Sequence, residues 1–90
     1  MILPITIREI TDSDRAYLKN ALINVWGSVR VFTLGRFVDA SQQAGFIARD
    51  DNEQLGFLTY EIKNGEMEIV SIAVHRKGRG IGRALIMETS

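Results

Sequence analysis

The stretch His75-Arg76-Lys77-Gly78-Arg79-Gly80-Ile81-Gly82-Arg83-Ala84-Leu85-Ile86, HRKGRGIGRALI, decides how the chain is read. Three glycines alternate with other residues, cations thread them, and the run passes directly into helix-favouring residues. Upstream, MEIVSIAVH reads as a strand from its β-branched density. A strand that empties into a glycine-rich turn and then a helix aims free backbone N–H groups and the positive end of the helix dipole at one point. That point attracts phosphate. Gly78, Gly80 and Gly82 suit it, because side chains would block close backbone approach and some positions there call for a positive φ.

Spacing separates the known phosphate loops. The Walker pattern closes on Gly-Lys-Ser/Thr, whereas this chain has Gly82-Arg83-Ala84. The dinucleotide fingerprint G-x-G-x-x-G fails as well. Started at Gly78 it meets Arg83 in its last position, and started at Gly80 it meets Leu85. The strand before the loop also follows a hairpin, not a crossover helix.

The rest of the chain supplies an order of elements. PITIREI, with Pro4 at a tolerated first position, reads as a strand. In TDSD, Thr11 or Asp12 is the expected N-cap, and Leu18, Ala21, Leu22 and Val25 recur at helical spacing as far as Gly27. VRVFTLGRFVDASQQ is ambiguous and is expected to be an irregular lobe with at most a short strand. GFIAR, LGFLTYEI and MEIVSIAVH are three strands separated by turn residues, with Asn64-Gly65 marking a hairpin. Ile81, Ala84 and Leu85 share one face of a final helix.

Composition bounds the function. Ninety residues, 46% hydrophobic and 24% charged, make one small domain over positions 1–90 with a single core and a thin stability margin. No cysteine is present, so disulfides, thiolate nucleophiles and cysteine-based zinc sites are excluded, and the lone His75 cannot make a metal site unaided. A reducing cytoplasm is the expected compartment. MILPITI lacks the features of a signal peptide, and no apolar run approaches the ~18 residues of a membrane span. Eleven basic residues balance eleven acidic ones, which gives nucleic-acid binding no global support. The distribution is uneven, since no acid occurs from Ile69 to Met87 while Arg76, Lys77, Arg79 and Arg83 fall within eight positions.

Lys77-Gly78-Arg79-Gly80-Ile81-Gly82 resembles the coenzyme A pyrophosphate loop of the GNAT superfamily of N-acetyltransferases, Arg/Gln-x-x-Gly-x-Gly/Ala, with Lys77 in the Arg/Gln place. The order of elements is similar too: strand, capped helix, variable acceptor lobe, three-stranded meander, loop and helix. The segment from Val74 to Lys77 departs from the family in being short and in lacking the frequent proline and aromatic residue. The resemblance implies an α/β fold, with a mixed, mostly antiparallel sheet flanked by helices. It covers nearly all of this chain but only the first two-thirds of a family domain, so the fold is expected to stop after the fourth strand and its helix.

The resemblance also implies a function, the transfer of an acetyl group from acetyl-coenzyme A to a primary amine, with no metal. The fourth strand, Ile72, Ala73 and Val74, would meet the acetyl and pantetheine groups through its backbone. Lys77, Gly78, Arg79, Gly80, Ile81, Gly82 and Arg83 would hold the diphosphate. Glu68 would be the base. It is expected to share a strand face with Val70, Ile72 and Val74, and an unperturbed glutamate, with a pKa of ~4.3, would need its pKa raised to serve. The competing reading of Glu68 is a surface glutamate, and Glu66 reads as a turn acid.

Trp26, Phe32 and Phe37 lie where the family's lobe faces the acceptor, although core packing is the expected role of each. Arg30 and Arg36 are expected to be solvated, and His75 to end the strand. The apolar IVSIAV strand would be left with an open edge, so its cover by a strand of a second copy, as a homodimer or swapped assembly, or of a complementary chain is expected. Two other functional classes stand beside the enzyme: a catalytically silent coenzyme A or anion binder, and an interaction module whose basic loop touches nucleic acid.

Overall fold

The computed structural model describes residues 4–33, 35–51, 53–75 and 78–89. Strand β1 (Thr6–Glu9) is followed by a single 3-10 turn, Asp12–Asp14, and by helix α1 (Arg15–Trp26). Strands β2 (Arg30–Thr33) and β3 (Arg36–Asp39) come next, then a second 3-10 turn at Ala40–Gln42. A meander of β4 (Ala44–Arg49), β5 (Gln54–Lys63) and β6 (Glu66–Val74) leads to helix α2 (Ile81–Glu88). The main sheet has the order β1-β4-β5-β6 with every neighbouring pair antiparallel, while β2 and β3 form a separate two-stranded sheet.

Local chemistry accounts for these boundaries. The Asp14 carboxylate accepts the Thr11 N–H at 2.8 Å, satisfying a donor that the incipient helix leaves open. It also receives both terminal nitrogens of Arg8 at 2.8 Å, which ties the start of α1 to β1. This pairing holds the Asp14 carboxyl well below the usual carboxylate range, with the Arg8 hydrogen bonds the largest cause. At the other end, Gly27 takes the left-handed conformation (φ +76°) and donates to the Ile23 carbonyl at 2.7 Å, as expected of a C-terminal glycine. The β5-β6 hairpin turns on Asn64 and Gly65, both at positive φ, as a type I′ connection requires.

The two helices lie on opposite faces of the sheet, and each closes its own apolar cluster. On one face Leu18, Ala21 and Leu22 of α1 pack with Ile47, Phe57, Val70 and Ala73, together with Val38 and Ala40. On the other, Ile81 and Leu85 of α2 pack with Ala48, Leu55 and Leu58. Neighbouring residues of β5, Phe57 and Leu58, therefore serve two different cores, as the alternation of a strand dictates.

The structure corrects the sequence reading at three places. The segment expected to be an irregular lobe is a regular hairpin, in which Val31 pairs with Val38 and Phe32 with Phe37. Trp26, Phe32 and Phe37, expected in the core, are 48%, 62% and 61% exposed. The two phenylalanines meet edge-on at 5.1 Å and Arg30 lies over the Phe37 ring, so these rings pair with their hairpin neighbours instead of entering the core. Val25, placed on the buried stripe of α1, is exposed, and the residues the helix buries are Leu18, Ala21 and Leu22.

Candidate functional site

The candidate site is built where β6 hands over to α2. The backbone of His75, just past β6, donates to the Leu55 carbonyl at 2.8 Å and so keeps the chain paired to β5 up to the mouth of the loop. His75 does end the strand, but its ring is not idle. The imidazole Nε2 lies 2.9 Å from the Tyr17 hydroxyl and the ring stacks on Phe57, which locks the strand terminus against α1. Burial pushes the Tyr17 hydroxyl up to about 12. Arg76 and Lys77, and with Lys77 the expected Arg/Gln position of the loop, fall outside the described residues.

Gly78 and Gly80 both adopt left-handed backbone, with φ +85° and +71°. For most residues with a Cβ that conformation costs roughly 1–2 kcal/mol, so glycine is favoured at both. No described atom lies within 4 Å of where a Cβ would stand at either. Gly80 is the N-cap of α2, and its carbonyl accepts the Ala84 N–H at 3.0 Å, the first bond of the helix. The N–H groups of Ile81, Gly82 and Arg83 precede that bond and have no intrahelical acceptor.

Gly82 departs from expectation. Its φ is ordinary, and an added Cβ would make a normal 3.5 Å contact with Val74 Cγ2, so neither conformation nor space demands glycine there. Ile81 is fully buried beneath the loop and anchors the helix start to the sheet, while Arg83 is exposed on the first turn.

Arg79 also differs. Its backbone belongs to the loop, but its guanidinium turns back to Asp50 at 2.9 Å, beside the β4-β5 turn. Asp50 carries no signal in the sequence, since the contact spans 29 residues.

Upstream of the loop, β6 contains a bulge. Thr59 pairs with Ser71 and Tyr60 with Ile69, so Val70 is the extra residue with no partner on β5. That one residue shifts the phase of the strand. Ile72 and Val74 pack on the α2 side, whereas Val70 joins the α1 cluster. Glu68 stands opposite Glu61, whose carboxylate receives Arg36 at 2.6 Å.

Alternation along β5 from Phe57 places Glu61, and hence Glu68, on the α1 side. The expectation that Glu68 shares a face with Val70, Ile72 and Val74 therefore holds for Val70 alone. Arg36, expected to be solvated, is the cation that offsets the Glu61 charge beside it. Glu66 pairs with Lys63 next to the hairpin turn.

Among the described residues no group of histidine, cysteine, aspartate or glutamate is arranged to hold a metal ion, and no helix is long and apolar enough to cross a membrane. What the arrangement offers is a loop with two left-handed glycines, a helix N-terminus behind it, and a strand leading into it. No curated protein and no solved structure matches the chain. The family model described as Acetyltransferase (GNAT) family matches residues 8–89, which takes in both helices, the whole meander and the loop, and the chain belongs to that family.

Proposed function

We propose that the protein transfers an acetyl group from acetyl-coenzyme A to a primary amine, with the donor's diphosphate held by the loop from Gly78 to Arg83. Membership of the acetyltransferase family supports the reaction class. The observation that carries the site is the pair of left-handed glycines leading into the N-terminus of α2. The first N–H groups of α2 have no intrahelical acceptor, and the helix dipole adds positive potential.

Residues Ile72, Ala73 and Val74 would offer their backbone to the acetyl and pantetheine portions. The amine nitrogen attacks the thioester carbonyl, the C–N bond forms, the C–S bond breaks, the amine gives up a proton, and the departing thiolate gains one. Glu68 is the candidate acceptor of the amine proton.

Calorimetric titration of coenzyme A into wild type and Gly80→Glu tests the loop. Strong binding by wild type and its loss in the variant is expected, whereas equal affinity in both would overturn the assignment. Mass-spectrometric detection of acetylated products over a panel of amines tests the reaction. Binding without turnover would instead select a catalytically silent coenzyme A binder.

The reading extends to a homodimer through the outer edge of β6. Among the described residues β6 is an edge strand, and its own Met67 and Ile69 are exposed. Light scattering across a dilution series checks it, and a monomer throughout the micromolar range would remove the dimer from the proposal.

A further inference from the structure

Gly78 and Gly80 leave open space where a Cβ would stand, but they also leave the loop without a conformational preference of its own. The residue between them is Arg79, the single side chain from 78 to 80 able to restrain the loop's path. That side chain does not reach outward for an anion. Its Nη1 donates at 2.9 Å to Oδ2 of Asp50, and the two side chains are 25% and 4% exposed.

Asp50 is itself fixed. Its Oδ1 accepts the Glu53 N–H at 2.9 Å and its own N–H donates to the Glu53 carbonyl at 3.0 Å, which closes the β4-β5 turn. The carboxylate thus has one oxygen bonded to Glu53 of the β4-β5 turn and the other to the loop. An aspartate beside an anion site would repel a diphosphate on its own. The paired guanidinium cancels that charge while it ties the loop to the sheet.

The structure assigns Asp50 and Arg79 the role of a positioning pair for the diphosphate loop, acting through the backbone amides around Gly78 and Gly80 and not by contact with phosphate. The inference rests on the reading of that loop as the coenzyme A diphosphate site. It makes a prediction whose sign is diagnostic. Asp50→Asn removes a negative charge from beside an anion site, and electrostatics alone would then tighten coenzyme A binding. If the pair positions the loop, binding weakens instead. Asparagine keeps an acceptor oxygen for the Glu53 N–H, so the turn is preserved.

The experiment is calorimetric titration of coenzyme A, and separately of pantetheine, which lacks the diphosphate, into wild type, Asp50→Asn, Arg79→Gln and the double variant. Loss of a charge-assisted hydrogen bond corresponds to about a tenfold loss of coenzyme A affinity in each single variant. The double variant is expected to lose no more than either single one, because the two side chains act as a unit. Pantetheine affinity is expected to be unchanged in all of them.

Unchanged or tighter coenzyme A binding in Asp50→Asn overturns the positioning role, as does an additive loss in the double variant. Wild type that binds coenzyme A no better than pantetheine overturns the loop reading itself, a different result. Should Asp50→Asn fail to fold, amide spectra of Arg79→Gln decide the matter. The N–H order parameters of Gly78 and Gly80 are expected to fall while that of Phe57 stays fixed, and unchanged glycine order parameters refute the proposal.

Discussion

Alanine at Gly80 and alanine at Gly82 are predicted to act in opposite directions, although both remove a glycine from the same motif. At Gly80 the backbone has φ +71°, and placing a Cβ in left-handed backbone costs roughly 1–2 kcal/mol. The smaller conformational freedom of alanine in the unfolded chain offsets about 0.4–1 kcal/mol of that. A net destabilisation of about 1 kcal/mol remains.

At Gly82 the φ is ordinary, the residue lies in the first turn of α2, and the new methyl would sit 3.5 Å from Val74 Cγ2 in normal contact. Replacing a helical glycine with alanine there is worth about 0.5–1 kcal/mol of added stability. The two variants should therefore differ by about 2 kcal/mol. At roughly 4–8 °C per kcal/mol for a domain of this size, that is a gap of about 10 °C between their melting temperatures. Urea denaturation followed by circular dichroism, with thermal melts alongside, measures both. Gly82→Ala as damaging as Gly80→Ala, or Gly80→Ala at wild-type stability, would refute the assignment of distinct backbone requirements to the two glycines.

Three further outcomes are expected. Leu22→Ala removes a fully buried side chain from the α1 cluster and should cost about 2–5 kcal/mol in chemical denaturation, a large share of a small domain's stability. Asp14 has its folded-state pKa depressed by Arg8, so its contribution is complete above the unfolded value of ~3.9 and is lost as pH falls further; Asp14→Asn should be less stable than wild type at neutral pH, with the gap closing in acid. Tyr17 has its pKa raised to about 12, so the folded protein keeps a proton that the unfolded chain releases above pH ~10. Stability should fall between those values, and an ultraviolet titration should show a tyrosine transition near pH 12 that Tyr17→Phe abolishes.

Sequence signals revealed most of the meander and both helices because each boundary has a local chemical cause. Asn64-Gly65 can turn tightly, Gly27 can take the left-handed cap, and Ile81 and Leu85 recur at helical spacing. The β2-β3 hairpin was harder to read because its exposed aromatic residues pair with each other instead of entering the core, so hydrophobicity did not report burial.

The bulge at Val70 was invisible for a related reason. IVSIAV is apolar on both faces and carries no phase from which a one-residue slip could be read, and the slip reassigns Glu68 relative to Ile72 and Val74. The loop glycines were legible as a motif, whereas the use of Arg79 was not. A side chain's partner across 29 residues depends on how β4 and β5 place Asp50.

The burial of β5 is not uniform: Leu55 to Thr59 lie between both apolar clusters, while Ile62 and Lys63 at the hairpin end are exposed. Hydrogen exchange should follow the same gradient, with amides at the buried end opening only when the whole chain unfolds and those near Asn64 exchanging through local fraying. The stiff end of the strand is the one to which His75 is bonded through the Leu55 carbonyl. The glycine loop is therefore moored to the slowest-opening part of the molecule, and thermal fluctuation is discharged at the opposite end of the sheet.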